Sequence, residues 1–156
     1  WVTYQGNRIP VMNEMFATID DARIMLGFAP EDANDVETAD GKARTKEFAS
    51  NRLARMIGLD RRNVSLDQAT DIAEQVMRAA QQQIAYSVQR LLSKMSFKPT
   101  IYVISGHGND LLKIPREVEV ITLTKQMGEE AARGAPSYAA AKQLRRFLES
   151  RSNDAS

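Results

Sequence analysis

The sequence predicts an α/β fold with a short parallel sheet, and three observations carry that prediction. Two β-branched, apolar runs, Thr100–Ile104 and Val118–Thr124, have strand composition. The first ends in Ser105-Gly106-His107-Gly108-Asn109, a glycine-rich exit of the type that open α/β sheets use at the carboxyl ends of their strands. Long stretches of helical apolar spacing precede and follow the pair, and strands separated by helical material favour parallel pairing with right-handed crossovers. At 156 residues, 43% of them hydrophobic, the chain has material for one domain and its core.

The elements follow in order. Trp1–Tyr4 and Ile9–Met12 read as two extended segments around a Gln5-Gly6-Asn7 turn, with Pro10 placing the second at an edge or a strand end. Because the chain opens on Trp1 inside strand-like sequence, it reads as a piece of something longer. Thr18 and Asp21 form a capping pair for a helix through Leu26, stopped by Gly27. Ala29–Lys42 is an acidic, turn-rich loop, expected to be exposed. Thr45–Ile57 returns to helical spacing, with Phe48, Ala49, Leu53, Met56 and Ile57 on one side and Gly58 as the stop. Its basic neighbourhood (Arg44, Lys46, Arg52, Arg55, Arg61, Arg62) reads as a solvated helix face, with an anion-facing patch as the alternative.

Ser65 and Gln68 make a capping box for the most strongly patterned helix, whose apolar period runs from Ala69 to Leu92 and ends by Ser93. Phe97-Lys98-Pro99 terminates it. After the second strand come a polar turn, a Glu129–Arg133 segment, and a Ser137–Ser150 helix introduced by Pro136, with Tyr138, Ala141, Leu144, Phe147 and Leu148 facing inward. The organisation is thus one domain over 1–151, with helical material about 18–63, a long helix 65–95 and a strand–turn–strand–helix unit 100–150. Residues 152–156 read as a disordered tail.

Composition narrows the chemistry. Lys plus Arg number 21 against 20 for Asp plus Glu, which provides no electrostatic case for nucleic acid or an anionic membrane. The absence of cysteine removes disulfides, zinc–thiolate sites and thiol nucleophiles, and a single histidine argues against a His-rich metal site or a Ser-His-Asp triad. No apolar run approaches the roughly 20 residues of a membrane span, and no leader is visible, so a cytoplasmic location is expected. No Gly-rich loop with a phosphate-gripping Lys, no Gly-x-Ser-x-Gly elbow and no His-Glu-x-x-His occurs, so the residues contain no self-contained catalytic set. Two stretches remain as candidates. Gly106-His107-Gly108 frees backbone amides to meet a ring or phosphate, against the simpler reading of a tight turn with a solvated histidine. Glu37-Thr38-Ala39-Asp40-Gly41 places two carboxylates and a hydroxyl in one loop, suited to polar ligands or a water-held Mg²⁺, against the simpler reading of an acidic surface turn.

Several stretches together resemble one family: Trp1–Gly6 with Arg8-Ile9-Pro10-Val11, Phe16-Ala17-Thr18, Glu37-Thr38-Ala39-Asp40-Gly41-Lys42, Arg52-Leu53-Ala54-Arg55, Ser105–Gly108 and Ala135-Pro136-Ser137-Tyr138-Ala139. They are similar to the C-terminal part of hydantoinase/oxoprolinase-related proteins. The branch is the one linked to tetrahydromethanopterin-dependent one-carbon transfer and methanofuran biosynthesis. The resemblance implies an incomplete ribonuclease-H-like lobe of the actin/Hsp70/sugar kinase fold, with short parallel strands and long flanking helices. It implies that Gly106, His107 and Gly108 line the nucleotide or phosphorylated-ligand side of a cleft, and that Glu37, Thr38 and Asp40 are substrate contacts. ATP and Mg²⁺ would belong to the complete protein, whose phosphate hairpins and N-terminal lobe are not in this sequence, leaving this segment inactive alone with no metal ligands of its own. Where relatives carry a motif similar to Arg-Arg-Thr-Pro, this chain reads Asn7-Arg8-Ile9-Pro10. The expected partners are a small phosphorylated molecule or nucleotide, the missing lobe, and a second copy of the chain paired through the long helix. Two other functions fit less closely: ATP-dependent hydrolysis of a cyclic amide, and a non-catalytic helical interaction module.

Overall fold

The computed structural model describes residues 1–106 and 108–153. These fall into two compact units, Trp1–Ser87 and Val88–Ser156, each considered by itself.

In the first unit, β1 (Val2–Tyr4) and β2 (Asn7–Ile9) form an antiparallel hairpin in the register Val2↔Ile9, Thr3↔Arg8, Tyr4↔Asn7. The second strand therefore lies earlier than Ile9–Met12. Gln5 and Gly6, at φ of 49° and 77°, make a two-residue turn whose twist matches a hairpin, so Asn7 already pairs with Tyr4. Pro10 has no N–H with which to extend the ladder. The side chain of Gln75 substitutes for a further strand at the β1 edge: its Oε1 accepts from Thr3 N at 2.6 Å, and its Nε2 donates to Thr3 O at 2.9 Å.

Helix α1 (Ile19–Met25) starts at Thr18, where the expected capping box forms and Thr18 N donates to the Asp21 carboxylate at 2.8 Å. It packs against α2 (Lys46–Arg55). Between them, the loop is held by an Asp32–Arg44 bridge, with Asp32 N donating to Arg44 O at 2.8 Å and Arg44 N to Asp32 O at 3.1 Å. Helix α3 (Leu66–Leu92) spans 27 residues, ~40 Å at 1.5 Å per residue, and the division between the units falls within it. Ser65 N donates to Gln68 Oε1 at 2.9 Å and Gln68 N to Ser65 Oγ at 3.2 Å, closing the capping box read from sequence. Its buried stripe is Ala69, Ile72, Ala73 and Met77, which with Val2, Ala22, Ile24, Ala49, Leu53 and Ala54 makes the core of this unit. The expected apolar stripe continues in sequence to Leu92, yet Val88 and Leu91 are exposed. Helical periodicity marks a face fit for burial; it does not supply the element that covers it.

In the second unit, β3 (Ile101–Ile104) and β4 (Glu119–Thr122) pair in parallel, from Ile101↔Glu119 to Ile104↔Thr122. The parallel pairing agrees with the sequence reading. One face of β3 is open: Val103 is 61% exposed and Ile101 44%, because none of the described elements of this unit covers it. The loop between the strands contains a 3₁₀ turn, Asn109–Leu111, and β4 runs directly into α4 (Leu123–Met127), then α5 (Glu129–Arg133) and α6 (Ala135–Asn153). Helix α4 stands where the sequence reading has strand and polar turn. Pro136 sits in the first turn of α6, as its missing N–H allows. Tyr138, Leu144, Phe147 and Leu148, expected inward, are all more than half exposed. Helix α6 continues to Asn153, past the expected end at Ser150. The remaining tail, 154–156, lies outside the described residues. No helix of the described residues is long and apolar enough to cross a membrane.

The uneven coverage of α3 is testable. Ile72, 1% exposed, and Leu91, 64% exposed, belong to one sequence stripe. Ile72→Ala should destabilise the chain by about 2–5 kcal/mol and Leu91→Ala by under about 0.5 kcal/mol in denaturant unfolding.

Candidate functional site

The two candidate stretches lie in different units and are built in different ways. In the first unit, Arg52 of α2 is fully buried (0% exposed) rather than part of a solvated basic face. Its Nε donates to Asp21 Oδ1 at 2.8 Å, its Nη2 lies 2.7 Å from the same oxygen, and its Nη1 donates to Asp40 Oδ1 at 3.0 Å. The other Asp21 oxygen is the one that accepts from Thr18 N in the α1 capping box. One carboxylate thus caps α1 and neutralises a guanidinium from α2, while the same guanidinium holds the Glu37–Lys42 loop through Asp40. The signal available in the sequence was position: Arg52 falls three residues after Ala49 and beside Leu53, on the apolar face of its helix.

This arrangement defines what the loop can do. The Asp40 side chain, 11% exposed, accepts from Arg52 and from Lys42 N at 3.2 Å, with Arg55 Nη1 at 3.9 Å from its other oxygen. Thr38 Oγ1 donates to Lys42 O at 2.6 Å. Glu37 is exposed, its backbone N–H donating to Asp35 Oδ1 at 2.9 Å. Of the three substrate contacts expected from the resemblance, Glu37 therefore presents a carboxylate to solvent, whereas Thr38 and Asp40 make contacts that shape the loop. That donor set does not fit a magnesium ion, since the Asp40 carboxylate is already balanced by two guanidiniums. Burial alone would raise the Asp40 carboxyl, but the Arg52 hydrogen bond, the Lys42 amide and the charges of Arg52 and Arg55 outweigh it. The carboxyl is held below its ordinary 3.8. Outside this triad, Arg44 pairs with Asp20 at 3.3 Å and Asp35 at 3.4 Å, and Arg23 with Asp20 at 2.7 Å, tying the acidic loop to α1.

In the second unit, the turn after β3 carries the other candidates. Gly106 has φ of 88°, a conformation that a β-branched residue adopts only under strain, and a Cβ there would meet nothing within 4 Å. Gly108 is constrained differently: a Cβ would sit 3.3 Å from Leu111 Cδ1. His107 lies outside the described residues. A cleft opens beside Gly106 at the carboxyl ends of β3 and β4, the position where open parallel sheets offer binding crevices. The turn is open where a ligand could approach, and its backbone geometry is glycine-dependent.

Comparison with known proteins bears on these features. The family model for hydantoinase/oxoprolinase matches residues 10–147. Two relatives are each named (4-{4-[2-(gamma-L-glutamylamino)ethyl]phenoxymethyl}furan-2-yl)methanamine synthase. The one from Methanocaldococcus jannaschii is 26% identical over 149 residues, covering 95% of this chain and 44% of that protein. The one from Methanococcus vannielii is 24% identical over 150 residues, covering 92% of this chain and 67% of that protein. The chain spans under half the length of the first relative and about two thirds of the second.

Two measurements test the buried triad. Arg52→Met, which leaves Asp21 and Asp40 without their cation, should cost about 3–5 kcal/mol, whereas Arg78→Ala, which removes an exposed pair with Glu74, should cost under about 1 kcal/mol. Because the Asp40 carboxyl is depressed in the folded chain, its stabilisation is complete above the ordinary 3.8 and is lost as the pH falls through the lowered folded value. Unfolding followed from pH 7 downward should show a loss of stability that begins near 3.8 and is complete below the lowered folded value, and Asp40→Asn should flatten the acid limb.

Proposed function

The chain belongs to the hydantoinase/oxoprolinase family, and from that premise we propose that it is the C-terminal portion of a two-lobed enzyme of one-carbon cofactor metabolism, of the tetrahydromethanopterin/methanofuran type. In this reading the second unit supplies the wall that meets the adenosine side of a nucleotide, or a phosphorylated substrate, through the Gly106–Gly108 turn. The Glu37–Asp40 loop is the substrate-facing element of the first unit, with Glu37 its exposed carboxylate and Thr38 and Asp40 fixing its shape. The observation that carries the reading is the family match across residues 10–147, together with a parallel strand pair that ends on the open Gly106 turn. Both relatives are synthases of a furan bearing an aminomethyl group, which supports the methanofuran-linked branch over the cyclic-amide hydrolase.

The chemistry assigned to this chain is modest. The turn can orient a ligand through backbone amides, and Glu37 can accept a hydrogen bond from an amine or hydroxyl. Nothing in either stretch is placed to grip a triphosphate. ATP and Mg²⁺, where the complete enzyme uses them, would supply phosphoryl activation, with Gly106 and Gly108 contacting the nucleotide. The chain alone is proposed to bind without turning over.

Calorimetric titration of ATP, ADP and pyrophosphate into the chain tests this. ADP and ATP should bind and pyrophosphate should bind more weakly. Gly106→Val, which forces a β-branched residue to a φ of 88°, should lose the nucleotide affinity while the chain remains folded by circular dichroism. Absence of binding by all three ligands would count against the proposal.

A further inference from the structure

The hairpin of the first unit has an outer edge on each strand, and the sequence protects the two unequally. In an antiparallel pair, every second residue of a strand turns its N–H and C=O away from the partner strand. Such groups are a template for another strand unless charge, proline or a covering element blocks them. On β2 the outward residue is Arg8, opposite Thr3, and Pro10 follows the strand, so that edge carries a charge and a proline. On β1 the outward residue is Thr3. The segment Trp1-Val2-Thr3-Tyr4-Gln5-Gly6 contains no charged side chain and no proline, and its Trp, Val, Thr and Tyr are residues that strands favour.

The Thr3 edge is occupied instead by the carboxamide of Gln75, from α3. Its Oε1 accepts from Thr3 N at 2.6 Å and its Nε2 donates to Thr3 O at 2.9 Å. A residue of a neighbouring antiparallel strand would make the same exchange, because a carboxamide carries the donor and acceptor of a peptide group. Gln75 Nε2 also donates to Asp71 O at 3.3 Å, one turn back on α3, which orients the carboxamide. A groove of about 450 Å³ runs between Thr3, Gln5 and Gly6 and the Asp71–Arg78 stretch of α3, and the carboxamide can swing into it.

We propose that the outer edge of β1 is a pairing surface for a second copy of this chain, and that Gln75 holds it closed. The occupant follows from the edge itself. Antiparallel pairing of β1 with β1 about a twofold axis at Thr3 sets Thr3 against Thr3 and Trp1 against Gln5, with no like-charged side chains opposed. The two Thr3–Gln75 bonds must break before that pairing forms, so the surface is available only while the carboxamide is released.

Hydrogen exchange and sedimentation of the 156-residue chain test this. Gln75→Met keeps the side-chain length and removes both hydrogen-bonding groups. In dilute solution it should quicken Thr3 amide exchange roughly three- to tenfold, the worth of one such bond. The Val2 amide, which faces β2, should keep its wild-type rate. At higher concentration the self-association constant of Gln75→Met should be about tenfold tighter than that of the wild type, because it rises with the fraction of open edge. Thr3 is exposed, and Thr3→Lys sets like charges against each other at the axis, so Gln75→Met combined with Thr3→Lys should return to the wild-type constant. Gln75→Ala, which removes the carboxamide by truncation, should reproduce both results. Three outcomes overturn the proposal: equal quickening at Thr3 and Val2, no added association in Gln75→Met, or added association that survives Thr3→Lys.

Discussion

The guanidinium of Arg52 is the constraint on which the first unit depends. A charge taken fully out of water is costly unless it is both paired and hydrogen-bonded, and two carboxylates meet that condition here, from α1 and from the Glu37–Lys42 loop. Asp21 is shared between two tasks, ending α1 with one oxygen and binding Arg52 with the other. The start of α1, the apolar face of α2 and the shape of an otherwise irregular loop are therefore set by one cluster. The Arg44 pairs with Asp20 and Asp35 add a second tie between the acidic loop and α1.

Much of this architecture was legible in the sequence, and the parts that were not share physical causes. Local signals read correctly: both capping boxes, the buried first half of α3, the parallel pairing of the two apolar runs and the glycine turn after the first of them. Charge alone assigns Arg52 to solvent, and only its place beside Ala49 and Leu53 indicates the burial that the structure shows. Strand β2 was displaced because a two-residue turn advances the register relative to a three-residue one. The apolar periods of the outer half of α3 and of α6 predict covered faces, but periodicity describes a surface and says nothing of its partner. Within the candidate site, the glycines were visible and the side chains around them were not. Thr124, Glu129 and Arg133 line one cleft with Gly106 because β4 lies parallel to β3 and runs straight into helix, a relation of tertiary pairing.

The two candidate stretches divide the work differently from what the resemblance implies. Asp40 and Thr38 were expected as substrate contacts, and their polar atoms are engaged within the protein, leaving Glu37 as the loop's outward group. The turn in the second unit has the opposite character, with open space at Gly106 and a cleft beside it. In the proposed function, ligand recognition falls to the carboxyl ends of β3 and β4, while the buried ion triad stabilises the first unit.

The most direct test of that division is to locate a bound ligand. Intermolecular nuclear Overhauser effects between ADP and the amide protons of the isotopically labelled chain should fall on Gly106, Gly108 and Asn109. Effects confined to residues of the first unit, with none at the turn after β3, would contradict the account.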